Sequence, residues 1–149
     1  MRIGINTFLF TSPFTTRSTK LFPKFKDWGF DTVEIPIESP AHIDPHKVKR
    51  ELDKSGLVCG TACACMGPDR DLRGNTRQQQ TALKYMTAVI DQMVALDCPS
   101  LIGPVYSAVG RADAVPAPEY NSNGARWSSI SRRCALTPAT KGKKSAWNR

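Results

Sequence analysis

The sequence has no long apolar run and no secretory leader. No stretch approaches the roughly 18 apolar residues of a membrane helix. Met1 leads straight into an amphipathic strand pattern, without the charged start and apolar centre of a signal peptide. Five cysteines, an odd number, fit a reducing compartment better than a disulfide scaffold. We therefore expect a cytoplasmic protein with no membrane segment.

Acidic residues are missing from one end of the chain. Residues 121–149 contain 7 Lys or Arg and no Asp or Glu, whereas residues 1–120 contain 14 basic and 13 acidic residues. The formal net charge of +8 therefore belongs to the tail, and the nearly neutral body argues against nucleic-acid binding. The composition predicts a folded domain over residues 1–120 and a basic, irregular, disordered tail over residues 121–149.

Glycine-rich phosphate loops are absent as well. A dinucleotide-binding fold needs G-x-G-x-x-G after its first strand, but residues 10–17 read FTSPFTTR. No G-x-x-x-x-G-K loop occurs elsewhere. Nucleotide binding therefore loses its main support.

The pattern that is present alternates strands with helices. Apolar segments predict four strands: Arg2–Phe10, Asp31–Ile37, Leu57–Cys65 and Ser100–Tyr106. Helical spacing predicts three helices: Ser18–Trp28, a helix from Pro45 that Gly56 ends, and Thr76–Leu96. Such alternation implies a parallel sheet with right-handed crossovers. Either a small open doubly wound sheet or half of a closed barrel fits, and the missing glycine loop favours the barrel.

Four motifs lie at the strand ends. They are G-I-N near the start, W-G-F-D-T-V-E-I-P-I-E after the first helix, C-M-G-P after the third strand and L-I-G-P-V-Y-S in the fourth. In this order the motifs resemble D-tagatose and D-psicose 3-epimerases, of the sugar phosphate isomerase/epimerase group with a xylose-isomerase-like barrel. The resemblance covers about residues 1–119. It implies the N-terminal half of a (β/α)8 TIM barrel, with about four parallel strands and three helices before the irregular tail.

The resemblance also implies a chemistry. In such enzymes two glutamates, an aspartate and a histidine hold Mn²⁺, Mg²⁺ or Co²⁺, and the glutamates move the proton at C3 of a ketose. The implied substrate is a small ketose or sugar phosphate, and the implied assembly is a homo-oligomer. All four of these residues lie on later strands of the family. The chain is thus expected to hold no catalytic residue and no metal ligand, and to be inactive alone.

The substrate side of the site is the part that the resemblance places in this chain. Candidate sugar contacts at the strand ends are Asn6, Glu34, Cys65, Gly67, Gly103 and Tyr106. Glu34 is expected to end the second strand. Two interpretations of Glu34 are open: it forms a pair of carboxylates with Glu38, or it forms an ordinary salt bridge.

Two other groups of residues invite a metal interpretation. Cys59, Cys63 and Cys65 cluster on one strand, but no second Cys/His pair has zinc-site spacing. His42 and His46 are four apart, but the helix start lies between them. We therefore predict buried structural cysteines and solvated histidines.

The tail also permits a frameshift. Codons can be chosen that encode the tail in the present frame. Read one base earlier, these codons encode a helix, a turn and a strand ending in L-E-P, the motif that holds the first catalytic glutamate of the family. We hypothesise a frameshifted, prematurely ended gene product, which sequencing the coding DNA would test.

Other functions remain open. They are a hydroxypyruvate isomerase or an endonuclease for abasic DNA on the same barrel, and a non-enzymatic module whose basic tail contacts nucleic acid. Unpaired strand edges in half a barrel also predict low solubility.

Overall fold

The computed structural model describes residues 1–135. Four strands form one parallel sheet: β1 (Gly4–Asn6), β2 (Thr32–Ile37), β3 (Val58–Ala64) and β4 (Ser100–Ile102). Four α-helices accompany them: α1 (Phe22–Asp27), α2 (Pro45–Ser55), α3 (Thr76–Ala95) and α4 (Ala117–Ala135). Short 3₁₀ segments cover Thr7–Leu9, Thr16–Leu21 and Pro40–His42. No helix within these described residues has the length and apolar character to cross a membrane.

The order of the strands distinguishes the two folds that the sequence left open. The sheet runs β1-β2-β3-β4, so each strand pairs with the strand that follows it in the chain. A doubly wound sheet instead reverses direction at a switch point, next to its first strand. Consecutive parallel order is the order of a (β/α)8 barrel. The prediction of parallel, barrel-type pairing is therefore confirmed.

Helix α2 has the ends that its sequence predicts. The side chain of Asp44 accepts a hydrogen bond from the backbone N–H of Lys47 at 3.0 Å, which satisfies one of the open donors of the first turn. Pro45 occupies the first helical position, where no N–H is needed. Gly56 ends the helix with φ of +67°, a conformation that glycine adopts without strain.

Strands β1 and β4 are shorter than predicted, because local interactions end both early. The side chain of Asn6 accepts from the N–H of Phe8 at 2.8 Å and turns the chain into a 3₁₀ segment. At the other edge, Gly103 has φ of +106° and Pro104 lacks an N–H. The predicted strand ends at Phe10 and Tyr106 therefore lie in loops.

The first part of the expected irregular tail lies in a helix. Residues 121–135 belong to α4, which begins just after Pro116, whose carbonyl accepts from the N–H of Tyr120 at 3.0 Å. No proline interrupts the chain between Pro118 and Pro138, so the backbone ladder can continue. The rest of the predicted tail, including the L-E-P counterpart of the frameshift hypothesis, falls outside the described residues.

The chain divides into two compact units. The sheet unit comprises Met1–Ala64 and Asp91–Gly103, and the second unit comprises Cys65–Ile90 with the residues from Pro104 onward. The core of the sheet unit contains fully buried side chains from β2, α1 and α2: Val33, Ile35, Ile37, Phe22, Phe25, Val48 and Leu52. Side chains in β2 alternate, so this apolar set leaves the opposite face of the sheet for polar residues.

Candidate functional site

Glu34 is the centre of a row of hydrogen bonds across three strands. Its Oε1 accepts from Nδ2 of Asn6 at 2.7 Å, and its Oε2 accepts from Oγ1 of Thr61 at 3.1 Å. The three residues are also partners in the strand register. Side chains in register point to one face of a sheet, which we call the Glu34 face. The row fixes the carboxylate of Glu34 from both sides.

The row corrects one sequence prediction and adds a residue. Glu34 was expected to end the second strand, but β2 continues to Ile37, so Glu34 lies in its middle. The structure brings Asn6 and Glu34 together, as two of the candidate contacts. Thr61 was missed, although a β-branched hydroxyl in an otherwise apolar strand was the signal available. Another missed residue is the fully buried Thr7, whose Oγ1 donates to the carbonyl of Glu34 at 2.9 Å.

Glu38 has a different set of partners from Glu34. Its carboxylate accepts from Oγ of Ser12 at 2.7 Å and from the N–H of Phe14 at 2.9 Å. These bonds hold the loop after β1 against the end of β2. The described hydrogen bonds of the two glutamates therefore do not link them as a pair.

Gly103 ends β4 at a close approach to the neighbouring strand. A Cβ atom at this position would lie 2.4 Å from the carbonyl oxygen of Ala64 and 2.9 Å from Sγ of Cys63. Together with the positive φ, this contact requires glycine here. The residue lets the end of β4 pack directly on the end of β3.

Cys65 and Gly67 lie in the second unit, at the start of its loop. The N–H of Cys65 donates to Oη of Tyr85 at 2.7 Å. The guanidinium of Arg70 donates twice to the Cys65 carbonyl, from Nε at 3.0 Å and from Nη2 at 2.8 Å. Arg70 also stacks on the ring of Tyr85, 4.2 Å from its centroid. The backbone of Cys65 is thus held by two side chains.

Gly67 and Tyr106 contribute differently to the second unit. A Cβ on Gly67 would lie 2.9 Å from Oδ1 of Asp69, the end of an exposed side chain that can rotate away. The ring of Tyr106 meets Trp127 edge-on at 6.2 Å, and the guanidinium of Arg73 lies 5.8 Å from its centroid. The binding roles of Cys65, Gly67, Gly103 and Tyr106 stay predictions.

A charged network surrounds Asp71 in the second unit. The Asp71 side chain is 3% exposed, and its Oδ2 accepts from Nη1 of Arg111 at 2.9 Å. Arg111 Nε also lies 3.3 Å from Asp113, which is 3.5 Å from Nη2 of Arg73. Burial tends to raise the pKa of Asp71, but the hydrogen bonds from Arg111 and from the backbone N–H of Arg73 hold that pKa below its usual value.

We expect Arg111→Ala to lower the free energy of unfolding at pH 7 by about 1–3 kcal/mol, because it leaves a buried carboxylate without its ionic partner. Since the folded pKa of Asp71 is lowered, its stabilisation is present above the unfolded value of about 3.9 and disappears as pH falls through the folded pKa. When the pH is lowered from 7 to 3, the free energy of unfolding should therefore fall less for the Arg111→Ala variant than for the parent. Urea unfolding at pH 7 and pH 3 measures both effects.

Lys54→Ala is the control for this prediction, because Lys54 is 77% exposed and lies 3.8 Å from Glu51. Such a surface pair contributes little to stability. Equal stability of the Arg111→Ala and Lys54→Ala variants would contradict the role given to the Asp71 network.

The residues with metal-ligand chemistry do not form a ligand set. Among the described residues, no three His, Cys, Asp or Glu side chains cluster closely enough to hold a metal ion. His42 ends a 3₁₀ segment and His46 lies in the first turn of α2, so they do not share a helix face. Both side chains are exposed, as predicted for solvated histidines.

The cysteines of the sheet unit have the environment of structural residues. Cys59 and Cys63 are buried. A hydrogen bond with Cys98 raises the pKa of the Cys59 thiol, and burial raises it further. A protonated thiol is a poor nucleophile and a poor metal ligand. The predicted structural role of Cys59 is therefore supported.

Several solved structures with the same arrangement are sugar epimerases. The chain superposes on D-allulose 3-epimerase from Methylomonas sp. with a TM-score of 0.78 at 19% identity, over 91% of this chain and 48% of that one. For an L-ribulose 3-epimerase the TM-score is 0.76 at 18% identity, with 93% and 47% covered. For 3-keto-D-glucoside 4-epimerase from E. coli it is 0.66 at 21% identity, with 91% and 52% covered.

The chain has the fold of half a sugar-epimerase barrel. It spans about half the length of these solved structures, as the strand count predicts. The prediction of an N-terminal half of a (β/α)8 TIM barrel is thereby confirmed for the fold. No protein-family model matches the half barrel, and no curated protein matches it.

Proposed function

We propose that this half barrel is the substrate-side half of a ketose 3-epimerase of the D-tagatose/D-psicose type. The observation that carries the proposal is the Asn6–Glu34–Thr61 row, on a sheet whose fold is shared with D-allulose and L-ribulose 3-epimerases. Fixed carboxylate, amide and hydroxyl groups suit the hydroxyls of a small sugar, since polar groups held in place orient such ligands. The substrate is a free or phosphorylated ketose.

The half barrel is inactive by itself under this proposal. Its described residues offer no ligand set for Mn²⁺, Mg²⁺ or Co²⁺. The metal, and the glutamates that would transfer the proton at C3, therefore have to come from the other half of the barrel. The protein functions in the cytoplasm, as part of a homo-oligomer.

A chimera tests this proposal directly. Residues 1–116 would be joined to the second half of D-allulose 3-epimerase from Methylomonas sp., and 3-epimerisation of D-allulose, D-fructose and D-tagatose measured with Mn²⁺. We expect turnover by the chimera and none by the 149-residue chain. Glu34→Gln in the chimera should lower kcat/KM by about 10-fold or more, equivalent to roughly 1.4 kcal/mol of transition-state binding.

The matched control is Glu51→Gln, which removes an exposed carboxylate of α2 that lies 3.8 Å from Lys54. It should leave turnover unchanged. A folded chimera without turnover, or equal activity of the two glutamine variants, would contradict the proposal. Turnover by the 149-residue chain alone would overturn its inactivity.

A second reaction on the same barrel is supported by one comparison. The likeness to 3-keto-D-glucoside 4-epimerase extends over 91% of this chain, so epimerisation at another sugar carbon is the alternative within the same fold. Assaying the chimera with 3-keto-glucosides distinguishes the two. The hydroxypyruvate isomerase and nucleic-acid-binding alternatives stay predictions.

A further inference from the structure

The sheet has two edges of complementary kind. β1 forms one edge and β4 the other, and all four strands are parallel. Large apolar side chains lie exposed at both edges: Ile3 is 50% exposed beside β1, and Ile102 is 40% exposed in β4. Backbone N–H and C=O groups at an open strand edge favour pairing with another strand.

We propose that two copies of this chain pair β4 of each with β1 of the other, around a two-fold axis. The dimer would then contain eight parallel strands in the order β1-β2-β3-β4-β1′-β2′-β3′-β4′, where a prime marks the second copy. Eight strands in consecutive parallel order close a barrel, and closure removes both open edges at once. The inference rests on the fold of the sheet unit and not on the proposed function.

The register of this pairing follows from the sheet itself. The row Asn6–Glu34–Thr61–Ser100 begins at the last residue of β1 but crosses β2 three residues before its end at Ile37. From β1 to β4, the row therefore moves from the carboxyl end of the strands toward their amino ends. A barrel with a shear of 8 shifts the row by about four residues over four strands. The next partner of Ser100 is then Arg2′, so that Ile102 faces Gly4′.

This register matches the faces of both strands. Gly4 and Asn6 alternate with Ile5, so Gly4 lies on the Glu34 face. Ser100 and Ile102 pair with Thr61 and Cys63, which places them on the same face. The space over Gly4 is taken by the side chain of Thr32, whose Oγ1 would overlap a Cβ built on Gly4, so Ile102 of the other copy would pack against Thr32. A shift by one residue would instead set opposite faces against each other.

Charges at the two edges are complementary in this register. Arg2, beside β1, is exposed, and Asp97, in the turn before β4, has a side chain that is 70% exposed and lies 3.8 Å from Lys49 Nζ of its own chain, so Arg2′ would join an existing ion pair. With Arg2′ opposite Ser100, each guanidinium lies beside the turn that carries Asp97 in the other copy. Two such attractions form per dimer, whereas pairing β1 with β1′ would bring the two arginines together.

The oligomeric state of the 149-residue chain tests the inference. We expect sedimentation and light scattering to give a dimer. Ile3→Lys and Ile102→Glu should each raise the dissociation constant roughly 100-fold, because every dimer contains the change twice. Val109→Lys is the matched control, since Val109 is 67% exposed and lies outside the sheet unit. It should leave the dimer unchanged, and circular dichroism checks that each variant is folded.

Mixing the two edge variants gives the sharpest result. A heterodimer of Ile3→Lys and Ile102→Glu chains places both changes in one β4–β1 contact and leaves the other contact unaltered. We therefore expect the mixture to dimerise while neither variant does so alone. A monomeric parent chain, open-ended polymers, or a mixture that stays monomeric would overturn the inference.

Discussion

Gly103→Ala is expected to lower the free energy of unfolding by about 3 kcal/mol or more. A side chain at φ of +106° is strained, and such strained positions cost about 1–3 kcal/mol. The added Cβ would also meet the Ala64 carbonyl, a backbone atom of the paired strand that cannot rotate away. The sheet must therefore shift where β4 joins it. Denaturant unfolding followed by far-ultraviolet circular dichroism measures the loss.

Gly110→Ala separates the two causes of this loss. Gly110 has φ of +85°, but no atom beyond its own chain neighbours lies within 4 Å of a Cβ built there. The Gly110→Ala variant has the backbone strain but no close contact with a neighbouring strand. Its free energy of unfolding should therefore fall by only about 1–2 kcal/mol. If the Gly103→Ala and Gly110→Ala variants lose equal stability, the close approach of β4 to β3 does not contribute to the loss in Gly103→Ala.

Phe25→Ala should lower the free energy of unfolding by about 3–5 kcal/mol, the usual cost of emptying a buried phenylalanine site. Phe25 is fully buried in α1, with the rings of Phe10 at 5.0 Å and Trp28 at 6.1 Å. Removing it opens a cavity between α1 and its neighbours that those rings cannot fill without leaving their own positions. Thermal and urea unfolding both report the change.

Trp28→Ala removes a larger ring from the same cluster and is the control. Trp28 is 50% exposed, and Lys24 Nζ lies 4.8 Å above its ring. Because half of the ring is already in water, the loss should be only about 1–2 kcal/mol. A greater loss for Trp28→Ala than for Phe25→Ala would show that burial does not set the order.

The ends of α2 could be predicted from the sequence because each depends on one or two residues. The start of the first helix, predicted at Ser18, was wrong, since Thr16–Leu21 form a 3₁₀ segment and α1 begins at Phe22. Asp44 and Gly56 fix the ends of α2 through their own hydrogen-bonding and conformational properties. Alternation of strands and helices likewise gave the parallel sheet. The signals at the ends of α2 are local, since they depend on Asp44, Pro45 and Gly56 themselves.

The parts that could not be predicted depend on contacts across the sheet. The central position of Glu34 in β2 follows from its pairing with Asn6 and Thr61, which are 28 and 27 residues away. The early end of β1 follows from the side chain of Asn6. Its hydrogen bond to Glu34 holds this side chain where its Oδ1 can accept from Phe8 and start the 3₁₀ segment. Composition suggested an irregular tail, but the lack of proline after Pro118 allowed α4.

The consecutive order of the strands also affects how the chain can acquire its fold during synthesis. Gly4 pairs with Thr32, Thr32 with Val58, and Thr61 with Ser100. When each strand leaves the ribosome, the strand it must join has already been made. A doubly wound sheet has to keep an edge open for strands that arrive later on the other side. This sheet can instead grow in one direction, at the pace of translation, from its amino-terminal strand.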